Sequence, residues 1–256
     1  MARDWHEWHR AYDRPDSPLS LRLATVQRRI TDVLDSAPPG PVRIISMCAG
    51  QGRDLLGVLA THPRRDDVSG RLVELDPDLA GVARANAPAG VEVLCADAGA
   101  CASYEGAVPA DLVLVCGVFG NISDCDIARA IDSLPALCVS GATVIWTRHR
   151  GAPDATPRTR ALFAAAGFDE VAFDAPGEVL YAVGTQRLVT SPRPFEPARR
   201  LFEFTDESVP VDCEQCGFSY GIGRRGVNAW LRSDARASEW CVSVSATARV
   251  RHRGAC

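Results

Sequence analysis

Lysine is absent from this chain of 256 residues: all 28 of its basic side chains are arginine, set against 32 acidic ones for a net charge of -4. With abundant Ala and Gly, that bias points to a GC-rich coding sequence and says nothing about chemistry. Blocks of basic residues are missing as well, so the chain offers no track for a polyanion, and nucleic acid is not an expected partner. No run reaches the roughly 20 apolar residues that cross a bilayer, which leaves no membrane span to expect. The N-terminus, MARDWHEWHR, lacks the apolar stretch of a signal peptide, and a cytoplasmic location is the expectation. Internal repeats are missing too. What is present is 46% hydrophobic residues, enough to form a core for one domain of ordinary size plus an appendage. There are ten cysteines, and Cys48, Cys95, Cys116 and Cys138 sit within apolar runs, where reduced cysteine behaves as a small hydrophobe.

Residues 17 to 35 carry a helical pattern, with Ser17 as cap, Pro18 in the first turn, and Leu19, Leu23, Val26, Ile30 and Val33 on one stripe. Pro38-Pro39-Gly40 terminates it. Ahead of it, Trp5, Trp8 and Tyr12 recur at about one helical turn and are expected to anchor the N-terminus to the core. From Val42 onward the chain alternates short apolar runs with helical stretches. The runs are Arg43 to Met47, Arg71 to Leu75, Val91 to Ala96 and Asp111 to Cys116, with Leu55 to Ala60 and Pro77 to Asn86 as crossover helices. Runs that are apolar on both faces suit buried parallel strands, and the alternation is that of a doubly wound α/β sheet.

Ser123 with Asp126 opens a further helix that Pro135 ends or kinks, and Thr143 to Thr147 reads as a fifth strand. Thr156-Pro157 starts a helix closed by Gly167. Glu170 to Phe173 and Val179 to Val183 then form two strands around the Ala175-Pro176-Gly177 turn. A parallel sheet finishing in a hairpin is unlike the usual dinucleotide dehydrogenase. Ser191 to Pro197 holds three prolines in seven residues and reads as a linker.

Chemistry concentrates where the first strand runs into CAGQGRD. Gly50 and Gly52 provide a tight turn in which backbone can approach a ligand closely. The second strand ends in VELDP, so Glu74 stands 22 residues after Gly52, near the spacing at which an acid reaches ribose hydroxyls. A carboxylate accepts two hydrogen bonds from a vicinal diol. Asp76 reads as the cap of the helix beginning at Pro77. A nicotinamide-dinucleotide enzyme needs a third glycine three positions after the second. That position is Leu55, and Gly57 comes too late.

The order RIISMCAGQGRD, LVELDPDL, VLCADA, ADLVLVCGVFGNIS and GATVIWTRHR resembles the successive motifs of the class I S-adenosylmethionine (SAM)-dependent methyltransferases over residues 42 to 185. WHRAYD and the TRHR ending of the fifth strand are similar to an uncharacterised bacterial branch of that family. The resemblance implies a Rossmann-like α/β fold with a seven-stranded, mostly parallel sheet and a terminal antiparallel hairpin. It also implies an N-terminal helical cap over 1–40, a SAM-binding core over 41–190, and a linker with a weakly patterned tail over 191–256. Carried over by position, it assigns the loop Gly50-Gln51-Gly52 to the methionine and ribose portion of SAM, Glu74 and the neighbouring Asp76 to the ribose side, and Asp97 with Ala98 to the adenine edge. Cys116 and Gly117 fall beside the sulfonium, with Asn121, Phe119 and Tyr12 facing the acceptor. Ser46 stands where the family has an acid, and Cys48 where it has the first glycine; Asp54 is the replacement partner for the methionine ammonium.

The expected activity is methyl transfer to a small molecule, with His149 as first candidate base because an imidazole titrates near neutrality, and Tyr12 and Arg22 as lid residues. The alternatives are a non-catalytic SAM-fold sensor or partner protein and, further off, the nicotinamide-dependent oxidoreductase. In the tail, Cys213 and Cys216 have metal-ligand spacing, but one CxxC is half a zinc site. The surrounding DCEQCGFSYG resembles the opening of DinB-like four-helix domains, and the tail is expected to be a truncated or degenerate remnant of one.

Overall fold

The computed structural model describes residues 10–177, 179–204, 212–213, 218–223 and 226–231. Trp5, Trp8 and Cys216 lie outside the described residues, as does the side chain of Cys213. The chain divides into two compact units, 1–211 and 212–256.

The first unit follows the expected alternation. After a 3-10 turn at Arg10–Asp13 come α1 (Pro18–Ser36), β1 (Val42–Met47), α2 (Leu55–Leu59), β2 (Val68–Glu74), α3 (Pro77–Asn86), β3 (Val91–Cys95) and β4 (Ala110–Val115). Then follow α4 (Asp124–Ser133), β5 (Cys138–His149), α5 (Thr156–Ala165), β6 (Phe168–Asp174) and β7 (Tyr181–Leu188). Local chemistry sets several starts. Ser17 Oγ accepts from Ser20 N at 3.1 Å and Ser123 Oγ from Asp126 N at 3.0 Å, capping α1 and α4. At α5, Asp154 Oδ1 takes the Thr156 N–H at 2.9 Å.

The strand order is β3-β2-β1-β4-β5-β7-β6, one seven-stranded sheet in which β7 runs antiparallel to both neighbours and the other pairs are parallel. The order reverses between β1 and β4, which is where open α/β sheets bind ligands, outside the carboxyl ends of the strands.

Each face of the sheet has its own core. Val26, Ile30 and Leu34 of α1 join α2 and Ala80 and Ala83 of α3 against Ile44, Leu72, Leu114, Ile145 and Val183. On the other face, Ile127 and Ile131 of α4 and Phe163 of α5 pack on Ile45, Val73, Val113, Val115 and Trp146. Each fully covered apolar side chain contributes roughly 1.5–3 kcal/mol. Trp146 stacks on Phe163 at 5.8 Å, and on its other side it covers Gly184 so closely that a Cβ there would lie 2.2 Å from the indole. That contact accounts for a glycine in the middle of β7.

The crossover from β3 to β4 contains no α-helix, only a 3-10 turn at Cys101–Tyr104. Its cover comes from the other end of the unit. Leu201 and Phe202, both buried, pack into the cluster that holds Cys101 and Tyr104. Residues 191 to 204, whose prolines read as a linker, are thus seated on the core without regular structure, and Arg193 donates to the Pro135 carbonyl and Asp132. Polar backbone bonds and two apolar side chains separated from any periodic run produce this docking, and neither leaves a helical or strand pattern.

The described residues of the second unit are strands: β8 (Asp212–Cys213), β9 (Phe218–Gly223) and β10 (Gly226–Leu231) form an antiparallel sheet in the order β10-β9-β8. No helix among the described residues is long and apolar enough to cross a membrane.

Candidate functional site

At the end of β1 the backbone turns through three residues of positive φ: Cys48 at 51°, Gly50 at 56° and Gly52 at 70°. Glycine adopts this region freely; Cys48 does so at a cost and is the one non-glycine among the described residues found there. Gly52 N bonds Ala49 O at 2.8 Å, closing the turn, and Leu56 N bonds Gly52 O at 2.8 Å, launching α2. A Cβ on Gly52 would lie 2.7 Å from Leu56 and 2.8 Å from Leu72, so packing as well as conformation requires glycine.

The tip of β2 meets this turn directly. Buried Glu74 accepts from Gly50 N at 2.7 Å through Oε2 and from Asp76 N at 2.9 Å through Oε1. Each oxygen keeps one further lone pair, which is what two neighbouring hydroxyls need. Asp76 itself caps α3, accepting from Asp78 N at 2.9 Å and Leu79 N at 3.1 Å. That is the structural role read from the sequence rather than the ligand role.

The third strand end converges on the same place. Burial pushes the Cys48 thiol well up, and the negative charges of Glu74 and Asp97 add to that shift. Asp97 accepts from Gly99 N at 2.8 Å and pairs with Arg200; the carbonyl of buried Ala98 takes the Tyr104 hydroxyl at 2.8 Å. Below the turn, Ser46 is fully buried and its Oγ finds no hydrogen-bond partner among the described residues.

On the α1 side lies a second group of polar side chains. Arg22 donates to the Tyr12 hydroxyl at 3.0 Å, and the Arg53 guanidinium lies 5.4 Å from the Tyr12 ring centroid. Arg53 also bonds Gln51 at 2.7 Å and Asp13 at 3.2 Å, fastening the N-terminal 3-10 turn to the glycine loop. Burial raises the Asp54 carboxyl, opposed by the Leu55 N–H that it accepts and by the charge of Arg22. Cys116, at the end of β4, is pushed far up by burial and by Asp54, so its thiol stays protonated at neutral pH. Burial likewise raises the Tyr12 phenol, against the pull of Arg22.

Gly117, with φ 78°, donates to Thr147 Oγ1 at 2.9 Å and accepts from Asn121 Nδ2 at 2.6 Å, and a Cβ there would meet nothing within 4 Å. Asn121 therefore shapes the exit of β4. His149 is exposed at the end of β5, with Nδ1 accepting from Gly151 N at 2.9 Å. Of its two flanking arginines, Arg148 turns to the opposite face and donates to the Phe119 carbonyl.

Phe119 corrects an expectation. Instead of facing an acceptor, its ring is fully buried, 6.0 Å from Trp146 and 6.2 Å from Phe163. Placing an aromatic after a strand end does not say which way it turns, and here the apolar pocket under α4 and α5 takes it. Two neighbours of the site escaped the sequence reading. Leu75, between Glu74 and Asp76, is 68% exposed, an apolar side chain left uncovered at the tip of β2. Arg200 lies 103 positions from Asp97 and no spacing links them. Among the described residues no group of three or more His, Cys, Asp or Glu is arranged to hold a metal ion.

No protein-family model matches the chain, and no curated protein matches it in sequence. Solved structures do match. Magnesium protoporphyrin IX methyltransferase (ChlM) from Synechocystis PCC 6803, solved with SAM bound, aligns with a TM-score of 0.57 at 11% identity, over 73% of this chain and 91% of that one. The N-methyltransferase NodS from Bradyrhizobium japonicum WM9 gives 0.50 at 16% identity, over 68% and 98%. An O-methyltransferase family protein from Burkholderia thailandensis gives 0.50 at 16% identity, over 72% and 63%.

The fold is that of the class I SAM-dependent methyltransferases. Of the two positions at which the sequence resemblance implies an acid and a glycine, Ser46 lies buried under the turn and Cys48 sits at positive φ. SAM suits the groups present on two counts: the Glu74 carboxylate keeps lone pairs beside a bend without side chains, and Ser46 holds a buried polar atom that no described residue satisfies.

Proposed function

We propose that this protein is a SAM-dependent methyltransferase acting on a small-molecule acceptor. The observation that carries the reading is the 2.7 Å bond from Gly50 N–H to Glu74: the bend after β1 and the acid at the tip of β2 occupy one spot at the switch point of the sheet. A nicotinamide dinucleotide is disfavoured because Leu55, at the position of the third glycine, is a fully buried core residue of α2.

SAM would supply an electrophilic methyl group on a sulfonium. Around it, Glu74 holds the ribose hydroxyls, Leu75 gives an apolar surface beside them, and Asp97 and Ala98 bound the adenine edge. The backbone from Cys48 to Gly52 lies along the methionine portion, where Asp54 and Ser46 Oγ together replace the missing acid as partners of its ammonium group. Cys116 and Gly117 line the reacting end. A thiolate there would compete for the methyl group, and the burial that keeps Cys116 protonated removes that competitor. Tyr12, held by Arg22 and Arg53, closes the α1 side, and Asn121 and His149 stand where an acceptor enters.

Transfer between a sulfonium and a nucleophile depends mainly on proximity and in-line alignment, so the residues' main work is orientation and exclusion of water. Where the acceptor atom must lose a proton, His149 takes it through Nε2, since Nδ1 is already engaged with Gly151. Calorimetric titration of SAM into wild type and Glu74→Ala tests the reading. Binding that the substitution abolishes supports it; equal binding by both proteins refutes the ribose contact, and NADH binding in place of SAM refutes the assignment.

A further inference from the structure

Helix α1 carries a positive charge on the face it turns to the sheet. Val26, Ile30 and Leu34 of that helix are buried. Arg22 precedes Val26 by four residues, one helical turn, so it lies on the same side, where the periodic pattern calls for an apolar residue. The next turn shows what this part of α1 overhangs. Thr25 Oγ1 and the Tyr181 hydroxyl are 3.3 Å apart, and Tyr181 is the partner of His149 in the pairing of β5 with β7. Arg22 therefore faces the carboxyl ends of the strands, on the side of the crevice where an acceptor enters.

Three elements converge on this guanidinium. Nη2 donates to the Tyr12 hydroxyl at 3.0 Å, in the N-terminal turn. Burial raises Tyr12, Asp54 at the exit of β1 and Cys116 at the exit of β4, and the charge of Arg22 opposes the rise in each. Asp54 is the one carboxylate of that group, and the neighbouring Arg53 has its own counter-charge in Asp13 at 3.2 Å. With SAM in place the balance is uneven. Arg22, the ammonium and the sulfonium are positive, whereas Asp54 and the methionine carboxylate are negative, so one positive charge is left over. Like charges held close together in a half-buried site repel, and a single anion removes the excess.

We propose that Arg22 is a specificity-determining residue: its guanidinium, on the inward face of α1 beside the Tyr12 hydroxyl, selects a small acceptor that carries a carboxylate. The proposal rests on the reading of this crevice as a SAM site. A guanidinium fork matches a carboxylate in shape, and the charge-assisted bonds between them are roughly twice as strong as neutral ones. One excess positive charge suits a monoanion, whereas a dianionic phosphate overshoots the balance. The Tyr12 ring and the protonated Cys116 thiol border the same place, so the rest of such a molecule meets uncharged surface. The sulfonium then has a second task besides giving up its methyl group: its charge helps to draw in the acceptor.

Calorimetry with benzoate and its neutral isostere benzamide tests this. Each probe is titrated into protein saturated with sinefungin, a SAM analogue whose amine replaces the sulfonium, or with S-adenosylhomocysteine, which lacks that charge. Wild type loaded with sinefungin is expected to bind benzoate at least about tenfold more tightly than benzamide, and Arg22→Gln to keep a preference of about twofold or less. Arg22→Lys, which retains the charge without the fork, is expected to recover part of it. Wild type loaded with S-adenosylhomocysteine is expected to prefer benzoate less than with sinefungin, a readout that needs no variant to fold. The role given to Arg22 falls, while the methyltransferase reading stands, if wild type takes the two probes equally or takes neither, or if its preference is the same with both analogues. It falls likewise if Arg22→Gln keeps the full preference, even with weaker binding of the analogues, or if phenyl phosphate binds better than benzoate. If wild type binds neither sinefungin nor S-adenosylhomocysteine, both readings fall together.

Discussion

Replacing Glu74 by glutamine keeps the side chain's shape and removes its charge and one acceptor oxygen. In the folded protein each carboxylate oxygen takes one backbone donor, from Gly50 at 2.7 Å and Asp76 at 2.9 Å. A carboxamide can satisfy one of them and turns an NH2 toward the other, and a buried donor left without an acceptor costs about 1–3 kcal/mol. At roughly 2–4 °C per kcal/mol for a domain of this size, the melting temperature is expected to fall by about 2–12 °C. Binding loses more. Of two ribose hydrogen bonds to a charged acceptor, one disappears, worth about 1.5–3 kcal/mol, which raises the Kd for SAM by roughly 10- to 150-fold. Isothermal titration below the lowered melting temperature reads the second number and differential scanning fluorimetry the first. A Glu74→Gln protein that stays folded and binds SAM within about twofold of wild type would refute the idea that this carboxylate holds the ribose.

Three further outcomes follow from the packing and electrostatics. Phe119→Ala removes a fully buried ring from the Trp146 and Phe163 cluster and is expected to cost about 3–5 kcal/mol in chemical denaturation, while leaving the SAM affinity of the folded protein near wild type; unchanged stability would contradict its place in the core. Burial raises Asp54 above its ordinary value of 3.8, and a cationic ammonium beside it favours the charged form, so SAM binding just above the ordinary carboxylate range releases a proton and tightens as pH rises through that window. Heats of binding measured in two buffers of different ionisation enthalpy must then differ, and equal heats would exclude Asp54 as the ammonium partner. Gly99→Ala drives a Cβ to within 2.2 Å of the Phe202 carbonyl oxygen and is expected to lift residues 199–204 off the β3–β4 crossover, seen as faster amide exchange at Leu201, with protection at β1 unchanged.

Sequence pattern made most of the sheet legible because its strands are apolar on both faces and its helices open on recognisable caps. Ser17, Asp76 and Ser123 all accept from the backbone groups that their positions imply. The spacing from the glycine loop to Glu74 also anticipated a contact, the one between Gly50 N–H and the Glu74 carboxylate, since a βαβ unit fixes how far apart a turn and the next strand tip fall. Direction and distance were harder. Phe119 and Asn121 follow the same strand, yet one turns into the core and the other toward Gly117, a choice made by the apolar volume under α5 rather than by local sequence. His149 alternates with Arg148 across the sheet, and strand periodicity places it on the α1 face without saying what it meets there. Arg200 was invisible because contacts between residues distant along the chain leave no periodic trace, and three prolines nearby read as a break instead of a docking segment.

The missing helix between β3 and β4 has a consequence for synthesis. In most doubly wound sheets each strand arrives with its own cover, so the growing layers close in the order in which they leave the ribosome. Here Cys101 and Tyr104 wait for Leu201 and Phe202, which are made about a hundred codons later. Until those residues emerge, the nascent chain carries an uncovered apolar face beside the ends of β2 and β3.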